Sequence, residues 1–304
     1  MKILTVTNYY PPHFIGGYEI ACKETMDYLQ DQGHEVVVLT SSYKTQHDKD
    51  HSILRYMHLI NYAKTSRVKK LILEYLNYMI LYNSIRTFKP DLVYFWSLRG
   101  IGTNILKAVE EHKVAKVFEI GDFWMQGYMQ PTLKDKLMSI LPFTKDKEIQ
   151  ISPAICVSEW VREEMNTKYN SSVTYMYPNA TSIPPVSIQN TKDIKFIFSG
   201  RIDEEKGLDL AILALVQFAS KYPNKPFSFH IYGSGEDNYI SKCKKLAKPI
   251  EAKVHFQGKV KDKSEIYTNA TILLMPTRMR EPFGLVIIEA MANKCAVIAT
   301  NAYG

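Results

Sequence analysis

In "REPFGLVIIEAMANK" (residues 280–294) two glutamates, Glu281 and Glu289, stand on either side of a Pro-Phe-Gly bend and an apolar run. Carboxylates are poor ligands for phosphate but good acceptors for pairs of sugar hydroxyls. A bend through Phe283 and Gly284, followed by a helix from Leu285 to Asn293, would turn the free backbone N–H groups near Gly284 and Leu285 toward one place, an anion-binding helix start. A second stretch, "SGRIDEEKG" (199–207), carries Arg201 and Lys206 on a loop. A guanidinium fork and a flexible ammonium there could share a diphosphate. Together these elements suit a nucleotide sugar: Arg201, Lys206 and the helix start on the diphosphate, Glu289 on a ribose and Glu281 on the donor sugar. Taken singly, each stretch also reads as surface: a charged turn pairing with Asp203, Glu204 and Glu205, and two exposed glutamates on a helix. Their co-occurrence favours the ligand site.

The loop "PPHFIGGYE" (11–19) places Gly16 and Gly17 between an apolar strand and a helix, where backbone N–H groups can approach a ligand. It is also readable as a plain tight turn. The fingerprint GxGxxG is missing, which argues against a nicotinamide or flavin cofactor. No convincing acidic or His/Cys cluster has metal-ligand spacing, and no Ser/His/Asp triad can be assigned, so the expected chemistry needs no metal and no cofactor.

These residues need elements to position them. "KILTVTN", "YEIACKETMDYLQDQG" and "HEVVVLTS" read as strand, helix and strand around the glycine loop, a parallel βαβ unit. Residues 90–97 and 115–122 read as further buried strands, and "AICVSEWVREEMNTKY" as one more strand and helix. Apolar periodicity stops at 177–193, where Pro, Ser, Asn and Thr accumulate as in a linker. Strands and helices resume at "IKFIFSG" and continue through "FSFHIYGSG", "AKVHFQGKV", "TILLMPT" and "CAVIAT". The expectation is two α/β domains, 1–178 and 191–304, which agrees with 304 residues being long for a single core. The chain stops at "IATNAYG", just after a strand, where a sheet face ordinarily gains a covering helix, so the second domain is expected to be truncated at its C-terminal end.

A formal charge of +7 favours an anionic partner: nucleic acid, a membrane surface or a phosphate-bearing small molecule. No recognised module or arginine cluster supports nucleic acid. Four well-separated cysteines form no CxxC pair, the N-terminus reads as a first strand and not a signal peptide, and no apolar run approaches membrane-spanning length. A cytoplasmic protein is expected, possible also at the inner face of the membrane. Residues 62–88 combine basic and aromatic residues with apolar positions at helical spacing; a core-facing amphipathic helix is favoured, with contact to an anionic membrane surface second.

The chain resembles the retaining glycosyltransferases of family 4. The resemblance rests on "NYYPPHFIGGYEIACKETMDYLQDQGHEVVVLTS", "SGRIDEEKGLDLAILAL", "YGSGED", "FQGKV" and "EPFGLVIIEAMA", spread over nearly the whole chain. It implies the GT-B fold, two Rossmann-like α/β domains facing across a cleft. It also implies transfer of a hexose-type sugar from a nucleotide-diphosphate donor to a glycan or lipid-linked acceptor, with retention at the anomeric carbon, as in polysaccharide biosynthesis. By the resemblance Glu281 contacts the transferred sugar, Glu289 the ribose, Arg201 and Lys206 the leaving diphosphate, and the Gly233 and Val260 regions border the base. The family commonly carries a His-Asp pair after a strand of the first domain, the His near the donor sugar; Gly121 stands at the apparent His position and Asp122 is kept. The rival readings are a non-catalytic GT-B binding module and a GT-B phosphorylase or epimerase.

Overall fold

The computed structural model describes residues 1–44, 50–127, 151–168, 173–178, 193–260, 262 and 264–302. Most of the linker expected at 177–193, and the last two residues of the chain, lie outside the described residues. The chain divides into two compact units, Met1–Pro178 and Asn179–Gly304.

The first unit is built on β1 (Lys2–Val6), β2 (Glu35–Ser41), β3 (Ile53–Met57), β4 (Leu92–Phe95), β5 (Ala115–Ile120), β6 (Ala154–Cys156) and β7 (Val173–Met176). They form one parallel sheet in the order β3-β2-β1-β4-β5-β6-β7. Helices α1 (Gly17–Asp31), α2 (Arg67–Phe88), α3 (Leu106–His112) and α4 (Glu159–Lys168) lie between strands in the chain. Near-continuous apolar strands such as Leu4, Val6, Val93, Phe95, Phe118 and Ile120 are buried, as a parallel sheet covered on both faces requires. The chain moves from β1 to β2 and β3 on one side, then crosses through α2 to β4 on the other side of β1. The carboxyl ends of β1 and β4 therefore border a topological switch point, the place where open α/β sheets leave a crevice.

The second unit repeats this plan with β8 (Ile194–Ser199), β9 (Phe227–Tyr232), β10 (Val254–Gly258), β11 (Ile272–Met275) and β12 (Ala296–Ala299), in the order β10-β9-β8-β11-β12, again all parallel. Helices α5 (Leu208–Lys221) and α6 (Asp237–Leu246) pack Leu208, Ile212, Leu215 and Cys243 against Phe196, Phe198, Phe229 and Ile231. The other face carries α7 (Ser264–Tyr267) and α8 (Leu285–Ala292), with Tyr267 and Ala290 against Ile197 and Leu273. Here the switch point falls between β8 and β11.

Among the elements, the structure differs from the sequence reading at β3, β7, α1 and α2. Strands β3 and β7 were not expected: β3 is an edge strand interrupted by Arg55, and β7 is short, so neither gives a sustained apolar signal. Helix α1 starts at Gly17, one residue earlier than read. Helix α2 is only partly core-facing: Asn77, Leu81 and Ile85 are buried, whereas Val68, Leu71, Ile72, Tyr75 and Leu76 are exposed. Helical spacing alone does not say which of two apolar faces finds the core.

Candidate functional site

In the second unit the two loops that carry the chemistry-bearing residues leave the carboxyl ends of β8 and β11, the neighbouring strands at the switch point. They are fastened together. The Arg278 N–H donates to the Glu205 carbonyl at 2.7 Å and the Thr277 hydroxyl to the same oxygen at 3.1 Å. Gly207, at φ 71°, lies so close to the second loop that a Cβ there would stand 2.0 Å from the Pro276 carbonyl oxygen. Only glycine permits this approach. The Arg278 guanidinium forks onto both oxygens of Asp209 at 2.7 and 3.0 Å and also donates to the Glu204 carbonyl, while the Tyr239 hydroxyl donates to Asp209 at 2.9 Å. These bonds hold the Asp209 carboxyl below the usual range, the Arg278 bond being the largest cause.

This fastening brings Lys206 and Glu281 together: the ammonium sits 2.5 Å from the carboxylate, and both side chains are largely buried. Arg201 is half exposed and pairs with Asp203 at 3.0 Å and Glu205 at 3.1 Å, the charged-turn arrangement. The Glu281 N–H donates to the Ala302 carbonyl at 3.1 Å. The bend at Phe283 ends in Gly284, at φ 85°, which caps the start of α8. Leu285 opens that helix, and Glu289, a turn further on, is buried and accepts the Tyr267 hydroxyl at 2.8 Å. Burial and the adjacent carboxylate push the Tyr267 phenol up. An ion pair, a helix start and a fixed buried carboxylate thus share one end of the sheet.

Gly233 has its N–H on the Gly258 carbonyl at 2.8 Å, and a Cβ there would meet the Gly200 carbonyl oxygen at 1.8 Å. It is a junction of three loop backbones. Val260 packs partly against the cluster containing Ile197 and Tyr232.

In the first unit the glycine loop is arranged differently from the sequence reading. The Gly16 and Ile15 N–H groups donate to the Glu19 carboxylate at 2.9 and 3.2 Å. The Gly16 N–H, read as a ligand for a bound anion, is therefore satisfied within the protein. Gly17 begins α1, and the next residue, Tyr18, reaches across to the end of β5. Its hydroxyl donates to the Glu119 carbonyl, its ring leans on Trp96 with centroids 5.3 Å apart, and it covers Gly121 so closely that a Cβ there would lie 2.5 Å from two ring carbons. Beneath it the Tyr94 hydroxyl donates to the Glu119 carboxylate at 2.6 Å, and burial pushes that carboxyl up to about 7. Asp122 accepts from Arg99 at 3.0 Å and from the Trp124 N–H at 3.0 Å.

Sequence reasoning missed Tyr18, Glu19, Asp209, Tyr267 and Arg278. Glu19 had a signal, since a Glu three residues after the helix cap is a capping pattern. The others act through partners tens of residues away in the chain, which no local spacing reveals.

Two parallel α/β units, each with loops converging at the carboxyl ends of its strands, are two Rossmann-like units. The profile of Glycosyltransferase Family 4 matches residues 15–180, and that of Glycosyl transferases group 1 matches residues 180–304. The chain belongs to glycosyltransferase family 4. It is 24% identical over 343 residues to an uncharacterized glycosyltransferase of Methanocaldococcus jannaschii, covering 100% of this chain and 81% of that protein. A Rickettsia africae glycosyltransferase superposes with a TM-score of 0.70 at 18% identity, over 100% of this chain and 80% of that one. Anabaena HepE, solved in complex with UDP-glucose, superposes with a TM-score of 0.68 at 18% identity, over 100% and 81%.

Proposed function

We propose that the chain transfers a hexose-type sugar from a nucleotide-diphosphate donor to a glycan or lipid-linked acceptor, with retention of anomeric configuration and without a metal. The observation that carries this reading is the fastening of the 199–207 loop to the 276–284 loop, which sets Lys206, Glu281 and the start of α8 at one switch point.

In this reading Glu289 binds the ribose hydroxyls, its carboxylate held in one orientation by the Tyr267 phenol. Glu281 accepts hydroxyls of the transferred sugar. As the bond to the diphosphate breaks, negative charge grows on the leaving oxygens, and fixed positive groups stabilise that charge more than they stabilise the bound donor. Lys206, Arg201 and the partial positive charge at the start of α8 supply it. Arg201 exchanges its exposed partners Asp203 and Glu205 for phosphate, a small cost because exposed ion pairs are weak. The loops around Gly233 and Val260 border the base. HepE, which has been solved with UDP-glucose, supports a nucleotide sugar as the donor class.

The test is isothermal titration of UDP, GDP and dTDP into the chain and into its Glu289→Ala and Arg201→Ala variants, followed by assay of nucleotide release from the matching sugar donor. One nucleotide should bind, both substitutions should weaken it at least about tenfold, a loss on the scale of one charged hydrogen bond, and the donor should turn over. No binding by a folded chain refutes the reading. Tyr18 covering Gly121, where the family commonly has a His, favours a second reading, a non-catalytic nucleotide-binding module. Binding without any transfer or hydrolysis would select it.

A further inference from the structure

Helix α2 has two apolar faces, and only one is covered. At 3.6 residues per turn, successive residues advance by about 100° around the axis. Asn77, Leu81 and Ile85 fall along the inner side and are buried. Val68, Leu71, Ile72, Tyr75 and Leu76 follow the i, i+3, i+4, i+7, i+8 pattern along the opposite side, with exposures of 68%, 52%, 53%, 61% and 39%. Five large apolar side chains in one stripe over the first two turns and more are not the scattered exposure usual for a soluble surface.

The charges that α2 and the residues just before it place beside this stripe have one sign. On the helical wheel Arg67 borders it on one flank and Lys69 on the other, and exposed Lys64 lies just before the helix. Lys70 stays near the Tyr62 ring, with its ammonium 5.6 Å from the centroid. Glu74, the one acidic residue of this helix, is engaged inward, accepting from the Tyr62 hydroxyl at 2.8 Å and from the Asn104 amide at 2.6 Å. The outward surface of the first half of α2 is therefore apolar at its centre and basic at its margins. Tyr75 belongs to an amphipathic side-chain type suited to the boundary between headgroups and acyl chains, and its ring lies 6.1 Å from that of Tyr78, whose hydroxyl donates to exposed Glu111 of α3 at 2.6 Å, the edge of the basic surface on that side.

We propose that this outer face of α2 docks on an anionic lipid bilayer, its apolar stripe entering the headgroup boundary and Lys64, Arg67 and Lys69 meeting lipid phosphates. The pattern is that of a helix lying in the interface plane, and among the described residues no helix is long and apolar enough to cross a membrane. Charge selects a bilayer over a second copy of this chain. A symmetric pairing of α2 with itself would bring the same basic margins together, whereas a negative surface attracts every one of them. The proposal does not rest on the transfer reaction: a chain that fails to bind any nucleotide can still bind vesicles, so the two readings fail separately.

The experiment is co-sedimentation of the full chain with vesicles of phosphatidylcholine alone and of equal parts phosphatidylcholine and phosphatidylglycerol, at low and high salt. Binding to the phosphatidylglycerol vesicles should be at least about tenfold stronger than to phosphatidylcholine and should weaken as salt rises. A chain carrying Leu71→Ser and Tyr75→Ser, and separately one carrying Lys69→Glu, should lose most of that binding with an unchanged circular dichroism spectrum. Equal binding by the wild type and both variants overturns the proposal, as does the absence of binding to either vesicle. A dimer seen by light scattering that the Leu71→Ser, Tyr75→Ser chain no longer forms, with no vesicle binding, would assign the face to a second copy and also overturn it.

Discussion

Replacing Gly121 by Ala should destabilise the first unit because of a single neighbour. A Cβ at this position would stand 2.5 Å from Cδ2 and Cε2 of Tyr18 and 3.2 Å from its Cζ. Carbon atoms in contact prefer about 3.5–4.0 Å, so the ring must retreat by roughly 1 Å. It has little freedom to do so, because its hydroxyl is bonded to the Glu119 carbonyl and its face leans on buried Trp96. Overpacking of this kind costs about 1–3 kcal/mol, and a broken hydrogen bond adds about 1 kcal/mol. A loss of about 2–4 kcal/mol should lower the urea midpoint of this unit by about 1–2 M at an ordinary denaturant slope. All three tryptophans, Trp96, Trp124 and Trp160, lie in the first unit, so tryptophan fluorescence follows its unfolding selectively. The sharper measurement is the double substitution. Tyr18→Ala alone should cost about 3 kcal/mol as a large-to-small change. Added to Gly121→Ala it should cost about 1–3 kcal/mol less, because the new methyl then faces an empty space. An unchanged midpoint for Gly121→Ala, or strict additivity of the pair, would refute the argument that Tyr18 holds this position as glycine.

The same fluorescence signal tests Glu119. Its carboxyl is raised by burial to about 7 in the folded state, so the folded protein holds a proton that the unfolded chain releases. Stability from this group is full below the unfolded value and is lost as pH rises through about 7, by at most about 3 kcal/mol; Glu119→Gln should flatten the dependence between about pH 5 and pH 8, measured by urea unfolding. Tyr267→Phe removes the hydroxyl that Glu289 accepts and should destabilise the second unit by about 1–3 kcal/mol in calorimetry, while weakening nucleotide binding by about tenfold in titration. Arg278→Met leaves the Asp209 carboxylate without its bidentate partner and should raise amide exchange in the 276–284 loop several-fold, with a stability loss of about 1–3 kcal/mol. Unchanged exchange in that loop would show that Arg278 does not fasten it.

The alternation of apolar strands with helices made both α/β units legible in the sequence, because parallel strands buried on two faces must be apolar throughout, as in "ILTV" and "FIF". Residue type, which sets what a side chain can bind, made Arg201, Lys206, Glu281 and Glu289 candidates for a nucleotide-sugar site. Gly284 before an apolar helix was readable for the same local reason. Order in space was not readable. Nothing between residues 199 and 284 states that β11 joins β8 on the side away from β9, yet that choice brings Lys206 onto Glu281, which lies 75 positions away in the chain. The placement of Tyr18 over Gly121, of Tyr267 on Glu289 and of Arg278 on Asp209 came likewise from packing between distant segments. The outward turn of half of α2 has the same origin. Its sequence offers two apolar faces of similar strength, and the sheet can cover only one. Periodicity and side-chain chemistry are properties of neighbouring residues and determine elements and affinities; which elements meet is decided only when the whole chain closes on its cores.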